Sequence, residues 1–167
     1  MIYRHLPNIG VKAVFSECRR FRYLLNLTDT TRHPSKTVCV VMQNPSIADE
    51  EVADKSVQFL EQLIFKKDLP EFKGVHSCSI VNQFGKVQTT NFRGGTGDIG
   101  VENDRHLEEA IEEADIVLIA WGKKNAYESR KEFIMELLRR SGKKTVLETR
   151  KHPSRGHYRD FIVPLAL

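Results

Sequence analysis

The sequence predicts an α/β fold in which a central, mostly parallel four-stranded sheet lies between two helical layers, a three-layer α/β/α sandwich. Four short apolar segments alternate with three segments whose apolar residues recur every three or four positions, the spacing of one helix face. A crossover between parallel strands needs a helix, and apolar strands need two dry faces. We therefore expect helices on both sides of the sheet.

The core of this fold is expected in residues 37–167. Apolar, β-branched runs that end in turn residues predict strands at 37–43, 75–84, 115–121 and 144–147. Helical spacing predicts one helix built on Val57, Leu60, Leu63 and Ile64, and two more at 102–114 and 127–140. Residues 1–36 have a mixed pattern, with a hairpin or edge strands expected at 11–15 and 21–27. Residues 1–167 are expected to form a single domain.

Composition narrows the class of protein. Hydrophobic residues make up 40% of the chain and charged residues 29%, which excludes a disordered or fibrous chain. The apolar runs at 38–42 and 116–121 are far shorter than the roughly 20 residues of a membrane helix. The N-terminus lacks a secretion-signal pattern, so we expect a cytoplasmic protein. The three cysteines are far apart and no His or Cys lies at metal-ligand spacing, so neither a metal site nor a cofactor is expected.

Positive charge concentrates at the two ends of the sequence. Residues 1–36 carry seven basic against two acidic side chains, and residues 143–167 carry six against two. The middle of the chain is acidic. If both ends lie on one side of the fold, they form a positive face for phosphates; otherwise they are solvated tails.

Polar segments follow all four predicted strands of the core directly. They are residues 43–46, 82–84, 120–124 and 151–155. Ligands of open parallel sheets bind at the carboxyl ends of the strands, so these segments are expected to converge on one rim. Each segment also fits an ordinary role as a turn, a strand cap or a packed ring, and their joint occurrence is what favours a site.

Short motifs lie along the chain in a fixed order. They are Cys-Arg-Arg-Phe-Arg-Tyr at 18–23, Asn-Pro-Ser-Ile-Ala-Asp at 44–49, Asn82, Glu-Asn-Asp at 102–104, Ala-Trp-Gly at 120–122 and His-Pro at 152–153. From about Cys18 onward this pattern resembles a bacterial and phage family of domains of unknown function. More distantly, the turn after the first strand, the Asn, the Trp-Gly and the late His-Pro-Ser resemble the motifs of the uracil-DNA glycosylase superfamily.

The glycosylase resemblance implies a fold of that type and a mechanism. Breaking a glycosidic bond requires a water near the sugar carbon and stabilisation of the charge on the departing base. By resemblance, Asn44 holds the water, Asn82 binds the edge of the base and His152 donates to the base oxygen. The remaining substrate-binding candidates are Ser46, Phe84, Trp121, Gly122 and Arg155, with Phe84 or Trp121 as a stacking surface.

Departures from the glycosylase pattern leave two functions open. The neutral Asn44 is no general base, which predicts slow chemistry or none. Asp49 is the candidate for the missing base and Asp104 an alternative, although both also fit helix caps or a magnesium site. Arg155 stands where an apolar wedge would fill the place of a flipped base. The first function is an enzyme acting on the glycosidic bond of a nucleobase, nucleotide or nucleic acid, with single-stranded or duplex DNA as a partner. The alternative is a non-enzymatic module that binds nucleotides or nucleic acid.

Overall fold

The computed structural model describes residues 2–142 and 145–167. The strands are β1 (Ile9–Phe15), β2 (Arg22–Asp29), β3 (Lys36–Met42), β4 (Val75–Asn82), β5 (Ile116–Ile119), β6 (Thr145–Thr149) and β7 (Ile162–Pro164). They form a seven-stranded sheet in the order β1-β2-β4-β3-β5-β6-β7. The predicted α/β class is therefore confirmed.

Helices cover both faces of this sheet. They are α1 (Lys55–Glu61), which continues into a π-helical turn (Gln62–Lys66), α2 (Asn103–Glu113) and α3 (Glu128–Ser141). Neighbouring side chains of a strand alternate between two buried apolar clusters, one against α1 and the other against α2 and α3, as Val40 and Val41 do in β3. None of the helices in the described residues has both the length and the hydropathy to cross a bilayer.

The four central strands β4, β3, β5 and β6 run parallel to one another. Their register sets Met42 beside Asn82 and Ile119 beside Glu148, so the carboxyl ends of all four strands reach the same edge of the sheet. We call this edge the carboxyl rim. The segments that the sequence singles out follow these strand ends.

The prediction of a four-stranded, mostly parallel sheet is wrong. The sheet has seven strands, and three of its six pairings are antiparallel. β1 and β2 form the hairpin expected near the N-terminus, and β2 pairs with β4 because Leu25 and Leu27 complete the core on the α1 side. β7 has three residues, too few for a periodic signal. Lys144, the predicted start of the fourth strand, lies outside the described residues, and β6 begins at Thr145.

Candidate functional site

Two adjacent cavities open at the carboxyl rim. The first, which we call the rim cavity, has a volume of about 490 Å³ and lies between the ends of β3 and β4, residues 44–47 and the start of α1. The second, which we call the basic cavity, has about 480 Å³ and lies between residues 121–125 and the segment after β6. The residues that line both cavities are Gln43, His152 and Ser154. The two cavities therefore share a wall.

The structure brings seven of the nine predicted site residues to these cavities. Those in the rim cavity are Asn44, Ser46, Asn82 and His152. Those in the basic cavity are Trp121, Gly122, Arg155 and again His152. The single pocket expected from the sequence is thus divided in two by the shared wall.

Phe84 and Asp49 line neither the rim cavity nor the basic cavity. Phe84 is buried, and its ring packs edge-on against those of Phe92 and Tyr127, with centroids 5.2 and 4.9 Å apart. The Asp49 carboxylate accepts hydrogen bonds of 2.8 and 3.0 Å from the backbone N–H groups two and three residues further on. Burial alone would raise the pKa of Asp49, but these bonds hold it below its ordinary value. Their predicted functional roles stay predictions, and the structure shows a packing role for one and a turn role for the other.

Asn82 presents an unpaired amide to the rim cavity. It is the last residue of β4 and only 1% exposed, and neither its Nδ2 nor its Oδ1 has a hydrogen-bond partner in the described part of the chain. Alternation from Ile80 places the side chain on the α1 side of the sheet, where the cavity lies. Leaving a buried donor or acceptor unpaired costs about 1–3 kcal/mol, so an occupant with matching groups would stabilise this site.

Arg22 brings a buried positive charge to the same cavity. It is 2% exposed, its Nη1 donates to the carbonyl of Ala48 at 2.9 Å, and its Nε has no partner among the described residues. Burial lowers the pKa of Arg22 to about 10 although Asp54 and Asp49 oppose the shift, so the guanidinium stays charged at neutral pH. Nothing in the sequence pattern distinguishes Arg22 from the exposed arginines beside it.

His152 lies in the wall between the cavities. Its Nδ1 accepts a 3.1 Å hydrogen bond from the backbone N–H of Ser154, so the proton of the neutral ring is on Nε2. Burial lowers the pKa of His152; Asp54 opposes this shift and Arg155 adds to it. At neutral pH the ring is therefore an uncharged donor through Nε2–H.

Asp54 is the one acidic residue among the described residues that line the rim cavity. One carboxylate oxygen, Oδ1, accepts from the N–H of Val57 at 2.8 Å and caps α1, which leaves Oδ2 without a hydrogen bond to the described chain. A capping Asp directly before the helical run was the sequence signal that could have identified this residue. No three His, Cys, Asp or Glu side chains of the described residues are grouped closely enough to hold a metal ion.

The Asn44 amide is engaged with the backbone. Its Nδ2 donates to the carbonyls of Gln88 at 2.8 Å, Pro45 at 3.1 Å and Lys86 at 3.4 Å. Its Oδ1 accepts from Gln43 Nε2 at 3.1 Å. These contacts tie the loop at 86–88 to the end of β3, and they occupy the amide that was expected to hold a water.

Beside the rim cavity, buried amides form a paired network. Asn125 Nδ2 donates to Gln83 Oε1 at 2.6 Å, and Gln83 Nε2 donates to Asn125 Oδ1 at 3.3 Å. Asn125 Nδ2 also lies 3.2 Å from Gln43 Oε1. The network joins the ends of β3 and β4 to the segment after β5, and so fixes the strand ends that form the rim.

The Glu-Asn-Asp motif at 102–104 supports the end of β4. Asn103 is fully buried, and its Nδ2 donates to the carbonyl of the last β4 residue at 3.0 Å. Asp104 pairs with Arg130, whose Nε donates to the carbonyl of Gln83 at 2.9 Å. Asp104, the alternative candidate for a base, is therefore held in an ion pair outside the rim cavity. Asn103 Oδ1 and the Thr149 hydroxyl are also buried without a hydrogen-bond partner among the described residues, but neither residue lines either cavity.

Comparison with known proteins identifies a family. Residues 22–158 match the model of a family described as protein of unknown function, DUF1643. The match covers well over half of the chain, so the protein belongs to this family, and the prediction of a family of domains of unknown function is confirmed. No curated protein and no solved structure matches the chain. The resemblance to uracil-DNA glycosylases stays a prediction.

Proposed function

We propose that the rim cavity binds a nucleobase and that the protein hydrolyses the glycosidic bond of that base in a nucleotide or nucleic acid. The observation that carries the proposal is the buried, unpaired amide of Asn82. An amide offers a donor and an acceptor side by side, and the polar edges of nucleobases carry donors and acceptors in the same close spacing. Such a base would satisfy both atoms of the amide at once.

The dimensions and walls of the rim cavity support this ligand class. Its volume of about 490 Å³ lies in the range of small-molecule sites. Tyr3 supplies an aromatic ring to the wall and is held there by backbone hydrogen bonds of 2.9 and 2.8 Å with Ala53. Tyr3 takes the stacking role for which the sequence suggested Phe84 or Trp121, since neither of those lines this cavity.

Glycosidic hydrolysis needs a donor to the departing base and an acceptor for the proton of water. His152 provides the first, because its neutral ring carries the proton on Nε2. Asp54 provides the second through the carboxylate oxygen that the helix cap leaves unused. The water oxygen bonds to the sugar carbon as the carbon–nitrogen bond breaks, the electron pair leaves with the base, and Asp54 takes the water proton.

This assignment changes the roles suggested by the glycosylase resemblance. The proton acceptor is Asp54 instead of Asp49, whose carboxylate closes a turn. Asn44 fixes the loop at 86–88, and Ser46 contributes a hydroxyl at the wall, 3.0 Å from that of Thr89. The charge of Asp54 acts on the buried guanidinium of Arg22, which lines the same cavity.

The engagement of Asn44 favours a second candidate function, a module that binds a nucleobase or nucleotide without cleaving it. Hydrogen bonds within the chain engage both ends of the Asn44 amide, so the residue to which the glycosylase resemblance assigns the water is held by Gln43 and by three carbonyls. The two candidates share the rim cavity and differ only in turnover.

The experiment measures binding and turnover on the same protein. Nucleosides of the common bases and of hypoxanthine are titrated by calorimetry, and oligonucleotides containing uracil, hypoxanthine or modified bases are incubated and assayed for released base. We expect at least one nucleoside to bind, with a loss of about tenfold or more in Asn82→Ala, the scale of one lost hydrogen-bonded edge.

The matched control is Asn26→Ala, which removes an amide that donates to Ser77 and Ser79 on β4. Asn26 lines neither the rim cavity nor the basic cavity. This variant should bind as the wild type does. Base release supports the enzyme, and binding without release supports the module. If no nucleoside binds, or if both variants weaken binding equally, the proposal is wrong.

A further inference from the structure

We infer that the basic cavity binds the phosphates of a single-stranded nucleic acid whose base enters the rim cavity. The inference rests on the proposed nucleobase site and names the molecule that carries the base. It depends on three features of the rim: its charge, the wall that the two cavities share, and an aromatic ring.

Cationic side chains surround the basic cavity, and none of its described lining residues is acidic. The cations are Lys123, Lys124, Arg150, Lys151 and Arg155. All are exposed, and none forms an ion pair with a carboxylate of the described residues. Unpaired like charges on one small surface repel each other, and a polyanion removes that repulsion while gaining attraction from each cation.

The positive charge is local and is not a property of the whole surface. The net charge of the chain is only +4. α2 carries five acidic residues against one arginine, and several arginines outside the basic cavity are paired with carboxylates, such as Arg105, Arg130 and Arg139. An anion is therefore attracted to the carboxyl rim rather than to the molecule in general.

The shared wall sets the spacing between base and phosphate. Because Gln43 and His152 line both cavities, a base in one cavity and a phosphate in the other lie a single side chain apart. Trp121 is partly exposed in the basic cavity and offers its ring to a neighbouring base, as in single-strand binding sites. A chain of nucleotides uses both features, whereas one free nucleotide leaves most of the cations unpaired.

A single strand fits better than a duplex. A base can enter the rim cavity only after it leaves its stack and its pairing partner, and that cost is lowest for a strand without a complement. We therefore expect the preferred ligand to be unpaired DNA or RNA around the bound base.

The test compares ligands that differ only in phosphate. Binding of a nucleoside found to enter the rim cavity is compared with binding of its 5′-monophosphate and of a 12-residue single strand and a duplex carrying the same base, by fluorescence anisotropy or calorimetry. We expect the single strand to bind about tenfold or more tightly than the monophosphate at low salt, and more tightly than the duplex. The logarithm of the single-strand binding constant should fall with the logarithm of the salt concentration, at a slope of about 0.7 per phosphate contacted.

A matched pair of triple variants locates the phosphate site. Lys123→Ala, Lys124→Ala and Lys151→Ala together should lower single-strand affinity about tenfold or more and reduce the salt slope by about 2, with nucleoside affinity unchanged. The control removes the same charge from exposed positions that line neither the rim cavity nor the basic cavity: Lys12→Ala, Lys73→Ala and Arg140→Ala. This control should bind like the wild type.

The outcomes separate this inference from the proposed function. If a nucleoside binds but the single strand gains nothing over the monophosphate, or if the duplex binds best, the inference is wrong and the nucleobase site stands. An equal loss in both triple variants also contradicts it, because the attraction is then a general charge effect. If the single strand binds through the basic cavity while no nucleoside binds and Asn82→Ala has no effect, the inference about phosphates holds and the proposed nucleobase site fails.

Discussion

Asn82 and Gln83 are consecutive amides at the end of β4, and both are buried, but their side chains have opposite surroundings. Both side-chain polar atoms of Gln83 are paired with Asn125, and its carbonyl accepts from Arg130. Neither side-chain polar atom of Asn82 is paired within the described chain. Since most buried polar groups in proteins have partners, the contrast distinguishes an amide that holds the strand ends from one that a ligand completes.

The same contrast extends along the rim. Asn44 and Asn125 are paired with neighbouring strands and loops, whereas Arg22 Nε, Asp54 Oδ2 and His152 Nε2 have no partner among the described residues. We therefore expect substitutions of the paired residues to change stability. Substitutions of the unpaired residues should change binding and turnover.

The largest effect is expected for Asp54→Asn. Asparagine keeps a side-chain oxygen to cap α1 but has no carboxylate to accept a proton from water. Base release should fall about 100- to 10,000-fold, the usual contribution of a general base, while the melting temperature changes little. The measurements are single-turnover base release and thermal unfolding. Full activity in Asp54→Asn would show that this carboxylate serves only as a cap.

His152→Ala should have the next largest effect on base release. Removing the Nε2–H donor should lower base release about 100- to 1,000-fold, as the loss of one donor to a developing negative charge does. The melting temperature should hardly change, because the ring lies at the rim and its Nδ1 bonds only within its own turn. A marked loss of stability with the base-release rate unchanged would instead make His152 a structural residue.

Substitutions in the paired amide network should lower the free energy of unfolding. Gln83→Ala removes both hydrogen bonds between Gln83 and the buried Asn125 amide and leaves Asn125 Nδ2 only its longer contact with Gln43, which should lower the free energy of unfolding by about 1–3 kcal/mol. Asn82→Ala removes two unpaired atoms and should leave that free energy unchanged or higher. Denaturant unfolding measures both, and the Gln83/Asn125 double variant should lose less than the sum of the two single variants. Equal losses in Asn82→Ala and Gln83→Ala would remove the distinction between the two amides.

Periodicity in the sequence predicts most of this fold, because strand and helix spacing is a local property. The central strands and the three helices lie close to their predicted ranges, and the polar residues that follow the strands do converge on one rim. The three-residue β7 has no such local signal. The pairing of β2 with β4 has no local signal either, because its paired residues lie 49 to 55 positions apart.

The site was less predictable because the state of a polar side chain depends on distant partners. Asn44 and Asn82 are equivalent in sequence, but loop carbonyls more than 40 positions away occupy only Asn44. Asp49 and Asp54 flank the same turn, and only the fold shows which of them faces the cavity. Arg22 looks like an exposed arginine until β2 places it beneath the rim.

The smallest expected effect is the contribution of His5 to the pH dependence of stability. Its Nδ1 lies 2.7 Å from the carboxylate of buried Glu61 and its Nε2 lies 2.8 Å from the Asp49 carbonyl; both partners accept, so the ring carries two protons. Burial alone would lower the pKa of His5, but these hydrogen bonds raise it above 6.5. The stabilisation is therefore complete below pH 6.5 and is lost as the pH rises through the raised pKa.

His5→Gln tests this pH dependence. Denaturant unfolding of the variant should show a smaller loss of stability above pH 6.5 than the wild type shows. The control is His33→Gln, which replaces an exposed histidine and should keep the wild-type pH profile. If wild-type stability rises instead of falling just above pH 6.5, with the rise absent in His5→Gln, the ring is not held as a cation.

The most direct test of the central claim follows the side-chain amides by nitrogen-15 NMR while a nucleoside is added. The Asn82 Nδ2 signals are assigned by their absence in Asn82→Asp. We expect these signals to shift as the ligand saturates the protein, while those of Gln83 and Asn125 stay in place. Saturated binding that leaves the Asn82 signals unmoved, or that moves the paired amides instead, would contradict the assignment of Asn82 as the residue that a ligand completes.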